Sequence, residues 1–220
     1  MSWKEHIHKL TTKASKKIGL LYNMKDKLSR SAKTKYYISF IRPVLEYGSA
    51  VFDNCTVAES NSLELVQRRA AMLCTGAFKR SSSNLLLRDV GWDSLANRRK
   101  NAKILLMYKI LYGITPPYLK ELIPPQVQTA THYPLRNRTN FRIPRARIQL
   151  MNNSYIPATL RQWNDLDPAL RNCRTLSTFK SKIKSKFKPD PLTKLYSISF
   201  GPSSKHHTQI RLGLSKLKAH

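Results

Sequence analysis

Acidic side chains are scarce in this sequence: 12 Asp and Glu stand against 40 Lys and Arg, a formal net charge of +28 over 220 residues. Self-repulsion of that size strains a compact fold. A polyanion relieves it most directly, because each phosphate met by Lys or Arg also releases condensed counterions. Nucleic acid is therefore the leading partner class. An anionic membrane surface competes, but it favours a basic amphipathic helix with an exposed aromatic-rich face, or a polybasic run beside a spanning segment. Long apolar runs are also missing. The most apolar stretch, Ile104 to Ile114, is short, is interrupted by Lys109 and reads as a core helix, so no membrane partner is expected.

Cysteine is nearly absent as well. Cys55, Cys74 and Cys173 are odd in number and widely spaced, with no CxxC pair, which excludes a disulfide framework and fits a reducing compartment. The first residues carry no apolar leader core. The expected location is intracellular, in the nucleus or a cytoplasmic ribonucleoprotein, and not secreted. No GxSxG, Walker loop or GxGxxG occurs, and His206-His207 has no cysteine within reach for a zinc site. Asp165 and Asp167 are the one close carboxylate pair, and their place beside Trp163 and Pro168 reads as capping and turning rather than metal binding. No nucleophile, general base, metal or cofactor is expected.

What is present is helical periodicity. With 41% hydrophobic residues, the chain can bury a core. Ser2 and Glu5 form a capping-box pattern ahead of Ile7, Leu10, Ala14, Ile18 and Leu21, which predicts a helix from about 3 to 24. A second helical stretch follows Ser31, and Pro43 either ends it or starts the next segment. Thr56 and Glu59 repeat the box, with Leu63, Val66, Ala70 and Leu73 on one face and Gly76 as the stop. A short helix over Leu85 to Val90 precedes a capped one from near Ser94. The latter's stretch Ile104 to Tyr112, apolar nearly all round, is the expected centre of the core. Two shorter helices are expected around Pro157 to Trp163 and Leu176 to Phe187. Strand signals are weak and no repeat of fixed period occurs, so the fold class is all-α.

Composition changes after residue 124, with prolines at 124, 125, 134 and 144 and no acid between Glu121 and Asp165. The expected organisation is a helical domain over 1–125, a basic extended connector over 126–150, a small helical region over 151–190 and a tail over 191–220. In the connector, Arg136, Arg138, Arg142, Arg145 and Arg147 interleave with Tyr133 and Phe141. Arginine gives bidentate phosphate contacts, and the aromatics would stack on unpaired bases. A flexible linker is the plainer reading, but a linker needs no such one-sided charge. Arg68 and Arg69, with Arg98, Arg99 and Lys100, make two basic clusters that would wall a groove if their helices are neighbours. Lys180, Lys182, Lys184 and Lys186 would track phosphates, or form an address patch or a solvated face. Trp3, Trp92 and Trp163 read as core anchors.

Several phrases in order resemble a known family. They are Ser2-Trp3 with His6-Ile7 and Leu10, then Ile41 to Gly48 with Phe52-Asp53, then Leu65 to Ala71. Gly91 to Leu95 with Arg98-Arg99 follows, and then Leu105 to Ile110 and Trp163 to Leu166, where Asp167 intervenes before Pro168. Together they resemble the region after the palm in LINE-type (non-LTR) retrotransposon reverse transcriptases of the jockey and chicken-repeat kinds, over residues 2 to about 187. His207 to Ser215 resembles the start of the cysteine- and histidine-rich module that often closes such polyproteins, without its cysteines. The resemblance implies a helical thumb up to about residue 120 that holds the template-primer, in a parent RNA-directed DNA polymerase. It also implies a palm with adjacent metal-binding aspartates, which this sequence lacks, and a longer reading frame within which Met1 lies.

The expected function is sequence-tolerant binding of RNA or an RNA–DNA hybrid through its backbone, without catalysis. The alternative is a helical structural or adapter protein, a domesticated remnant, whose exposed apolar helix faces meet a protein such as the missing palm or a substitute for it.

Overall fold

The computed structural model describes residues 3–78, 80–130 and 139–186, and for residues 130, 185 and 186 the backbone only. The described chain is all-α, with no strand among these residues and a single isolated bridge between Gln126 and Phe141. It divides into two compact units. The described part of the first is 3–47 with 55–78 and 80–98, and that of the second is 48–54 with 99–130 and 139–186.

In the first unit, α1 (Lys4–Asn23) buries Ile7, Leu10, Ala14, Ile18 and Leu21, the five positions its periodicity selects. Its start differs from the capping-box expectation: Trp3 occupies the N-cap and its side chain makes no capping hydrogen bond, and Ser2 lies outside the described residues. Glu5 instead pairs with Lys9 one turn on, at 2.7 Å. Ser29 caps α2 (Arg30–Tyr36) by accepting from the Ala32 N–H.

The helical path then widens into a π segment, Tyr37–Ile41, before α3 (Arg42–Glu46), with Pro43 in the first turn of α3. Proline has no N–H to give and its ring crowds the preceding turn, so a locally wider turn lets the chain pass it without breaking. Of the two roles open to Pro43, the structure selects the start of the next segment. Tyr37 is fully buried and stacks on Trp92, with ring centroids 3.9 Å apart.

The Thr56 and Glu59 capping box is formed in full at the start of α4 (Val57–Thr75), and Gly76 closes that helix in the left-handed conformation that favours glycine. The apolar stripe is only partly as expected: Leu63, Val66 and Ala70 are buried, while Leu73 is half-buried and Cys74 takes the inner position. Helix α4 packs against α1, α2 and α5 (Ser83–Val90). It is the axis of the unit. Helix α6 (Leu95–Leu111) starts here, with Ser94 accepting from the Asn97 N–H and the Glu64 carboxylate from the Ala96 N–H.

The second unit takes α6 from Arg99 onward, then α7 (Tyr118–Glu121), α8 (Val127–Ala130), α9 (Gln149–Asn152), α10 (Tyr155–Asn164), α11 (Pro168–Arg171) and α12 (Leu176–Lys186). Its core joins Ile104, Met107 and Tyr108 to Leu160, Trp163, Phe179 and Ile183. Phe179 stacks on Tyr108 at 4.3 Å, and the Tyr108 hydroxyl donates to the Cys173 carbonyl at 2.9 Å. A buried phenyl ring of this kind contributes about 1.5–3 kcal/mol of transfer free energy. The expected boundary near residue 125 falls inside this unit, because Phe141 shares a core with Tyr108 on one side of it and Phe179 on the other. The division of the chain falls within α6 instead.

Candidate functional site

Residues 140–142 of the basic connector are held from two directions. The Asn164 side chain clamps Phe141, accepting from its N–H and donating to its carbonyl, each at 3.0 Å. The Val127 N–H donates to the Asn140 carbonyl at 2.9 Å, and the Arg142 N–H to the Pro125 carbonyl at 3.2 Å. Arg171 adds a bond to the Asn140 side chain at 2.8 Å. Beyond this anchor the backbone runs irregularly to α9, and Arg142, Arg145 and Arg147 are all exposed. The expected extended connector over 126–150 contains α8 and runs into α9, and residues 142–148 follow an irregular course.

Phe141 itself departs from expectation. It is buried in the core of the second unit rather than open for base stacking, because its ring joins the apolar contacts of Trp163 and Leu160. Its task is anchorage. Tyr133, Arg136 and Arg138 lie outside the described residues. Sequence reasoning does not reach Asn164, although it stands in the Trp163 to Leu166 phrase; nothing in its type or spacing shows which backbone it will clamp.

The two basic clusters on α4 and α6 are largely taken up inside the protein. Arg68 donates to the Ser81 carbonyl at 3.0 Å and is half-buried. Arg98 grips Glu46 with two donors, its Nη2 at 3.1 Å from Oε2, and this pairing pushes its guanidinium further above its ordinary range. Arg99 contradicts its assignment outright. It is 3% exposed, with Nε 3.6 Å from Asp53, and Lys103 reaches the other oxygen of the same carboxylate at 2.6 Å. Burying a guanidinium needs a counter-charge, and Asp53 supplies it, so Arg99 is unavailable to a phosphate. Arg69 and Lys100 remain exposed. Of the five cations expected to wall a groove, these two are the exposed ones.

On α12, Phe179 and Ile183, one turn apart, are buried, which turns Lys180, Lys182 and Lys184 outward. The Lys186 side chain lies outside the described residues. Trp92 and Trp163 are buried core anchors and Trp3 is half-buried. Cys74 and Cys173 are buried and Cys55 is half-buried. Burial holds the Cys74 thiol up at about 11.

Asp167 caps α11 by accepting from the Ala169 N–H at 2.8 Å, and Asp165 is the C-cap of α10. Among the described residues no group of three or more His, Cys, Asp or Glu is placed to hold a metal ion, and no helix is long and apolar enough to cross a membrane.

No family model, no curated protein and no solved structure matches this chain.

Proposed function

We propose that this chain is a non-catalytic nucleic-acid-binding module, equivalent to the post-palm, C-terminal part of a retrotransposon RNA-directed DNA polymerase, which grips RNA or an RNA–DNA template-primer through its backbone. The observation that carries the reading is the exposure of Arg142, Arg145 and Arg147 immediately after a doubly anchored Phe141, in a stretch with no acid from 122 to 164. Tethered arginines lose less freedom on meeting phosphates than arginines on a free linker. The surplus of 28 positive charges and the ordered series of family-like phrases support the same reading. The role is positioning, which keeps a duplex in register for chemistry performed elsewhere.

The test is fluorescence anisotropy of the full chain with an RNA–DNA hybrid of arbitrary sequence over a range of salt. Log affinity should fall linearly with log salt, and changing Arg142, Arg145 and Arg147 together to Gln should make the slope shallower by about 0.9 for each phosphate that is no longer neutralised. A chain that ignores polynucleotides at low salt, or that extends a primer unaided, refutes the reading. The second reading, an adapter, draws support from the exposed apolar side chains Leu20, Tyr22 and Phe40. It predicts a partner interaction that tolerates salt.

A further inference from the structure

Lysines at positions 4, 9, 13, 16 and 17 crowd α1, which carries one acid, Glu5, already paired with Lys9. Four polar residues of this helix, His8, Thr12, Ser15 and Lys16, follow helical spacing and line a cleft of about 530 Å³ whose other wall is α4, with Ser62 and Arg69 one heptad apart. The hydroxyls of Thr11 and Ser62 donate to carbonyls of their own helices, at 2.9 and 2.7 Å. Leu65 and Val66 add apolar surface to the lining; its cationic residues are Lys16 and Arg69, and no acid is among the lining residues.

Several other arginines of the first unit find acceptors within the protein: Arg30 at Asp89, Arg68 at the Ser81 carbonyl, and Arg42 and Arg98 at Glu46. Arg69 and Lys16 are exposed and, among the described residues, form no ion pair, yet they share one cleft. Like charges gathered along a concave wall raise the local potential for an anion instead of cancelling it. From His8 to Lys16 the helix axis advances about 12 Å, enough to face about three nucleotide steps of about 3.4 Å rise. The cleft is open to solvent rather than enclosed, a shape that lets a strand pass through.

The geometry points to the cleft between α1 and α4 as a phosphate-binding site, with Lys16 and Arg69 as the anion contacts, that seats the sugar-phosphate backbone of a nucleic acid strand. This inference rests on the proposed function and adds to it a binding surface in the first unit, separate from the arginines that follow Phe141.

The experiment compares the full chain with its K16Q/R69Q variant. Both side chains are exposed, so the variant should keep its helical circular dichroism and melting temperature. Its log affinity for an RNA–DNA hybrid should fall with log salt along a slope shallower by about 1.8, two phosphates at about 0.9 each. The His8 ring resonances of the parent chain should shift on titration with the hybrid. An unchanged slope in a chain that binds the hybrid overturns the cleft and leaves the proposed function standing. If no polynucleotide binds but inorganic phosphate moves the His8 resonances, the proposed function fails and the cleft belongs to a free anion. If polyglutamate competes as well as the hybrid does, and loses equally in the variant, the occupant is an acidic peptide and the nucleic-acid assignment is overturned.

Discussion

The two units handle the same surplus of positive charge in different ways. In the first, several arginines meet internal acceptors, Arg30 at Asp89 and both Arg42 and Arg98 at Glu46. In the second, one carboxylate, Asp53, serves both Arg99 and Lys103 in the interior, while Arg142, Arg145 and Arg147 stand in solvent on a stretch without acids. The difference teaches where scarce acids are placed. A buried cation without a counter-charge costs several kcal/mol, whereas an exposed one costs little, so burial claims the carboxylates and the surface keeps the excess. A surface left cationic in this way is available to a polyanion.

The comparison breaks most visibly at Asp53. D53N should leave two buried cations facing a neutral amide and destabilise the second unit by about 3–5 kcal/mol in chemical denaturation. A loss below about 1 kcal/mol would mean that Asp53 is not the counter-charge argued for it. Next is F141A, which separates anchorage from base contact: removal of a core ring costs about 3 kcal/mol, the low end for such changes. Weakened nucleic-acid binding with no loss of stability would restore the stacking role.

Alkaline titration gives a smaller effect and sharpens the comparison from the side of burial. Cys74 in the first unit is raised by burial to about 11 from an ordinary 9.0, and Tyr37 and Tyr155, one in each unit, are raised by burial above an ordinary 10.0. In each case the unfolded chain ionises first. The stabilisation is therefore complete below the unfolded value and is lost as pH climbs toward the folded one, beginning near pH 9. Tyrosinate absorbance should then rise together with the loss of helical dichroism. Ionisation of all ten tyrosines ahead of unfolding would contradict the burial of Tyr37 and Tyr155. The smallest effect belongs to the surface: changing Arg142, Arg145 and Arg147 to Gln should move stability by no more than about 0.5 kcal/mol. A large loss of stability would place those side chains in the structural framework.

Much of this molecule could be read from residue spacing. The buried face of α1, the capping box and glycine stop of α4, and the burial of Met107 and Tyr108 in α6 all follow from periodicity and terminal chemistry, which are local properties. The exposure of the arginines after Phe141 was also legible, since nothing nearby in sequence offers them a partner. Short helices such as α7, α8, α9 and α11 were not anticipated, because four residues carry too little periodicity to register.

The sequence by itself determined the helical character and the cationic excess. Only tertiary structure decided which cations remain available: Arg99 lies next to Lys100 in the chain, yet one is buried against Asp53 and the other is exposed. It likewise set Lys16 and Arg69, 53 positions apart, along one cleft. The reason is that a helix fixes the direction of a side chain, but whether that direction meets an acid, a carbonyl, another cation or water depends on elements brought there by the packing of apolar faces.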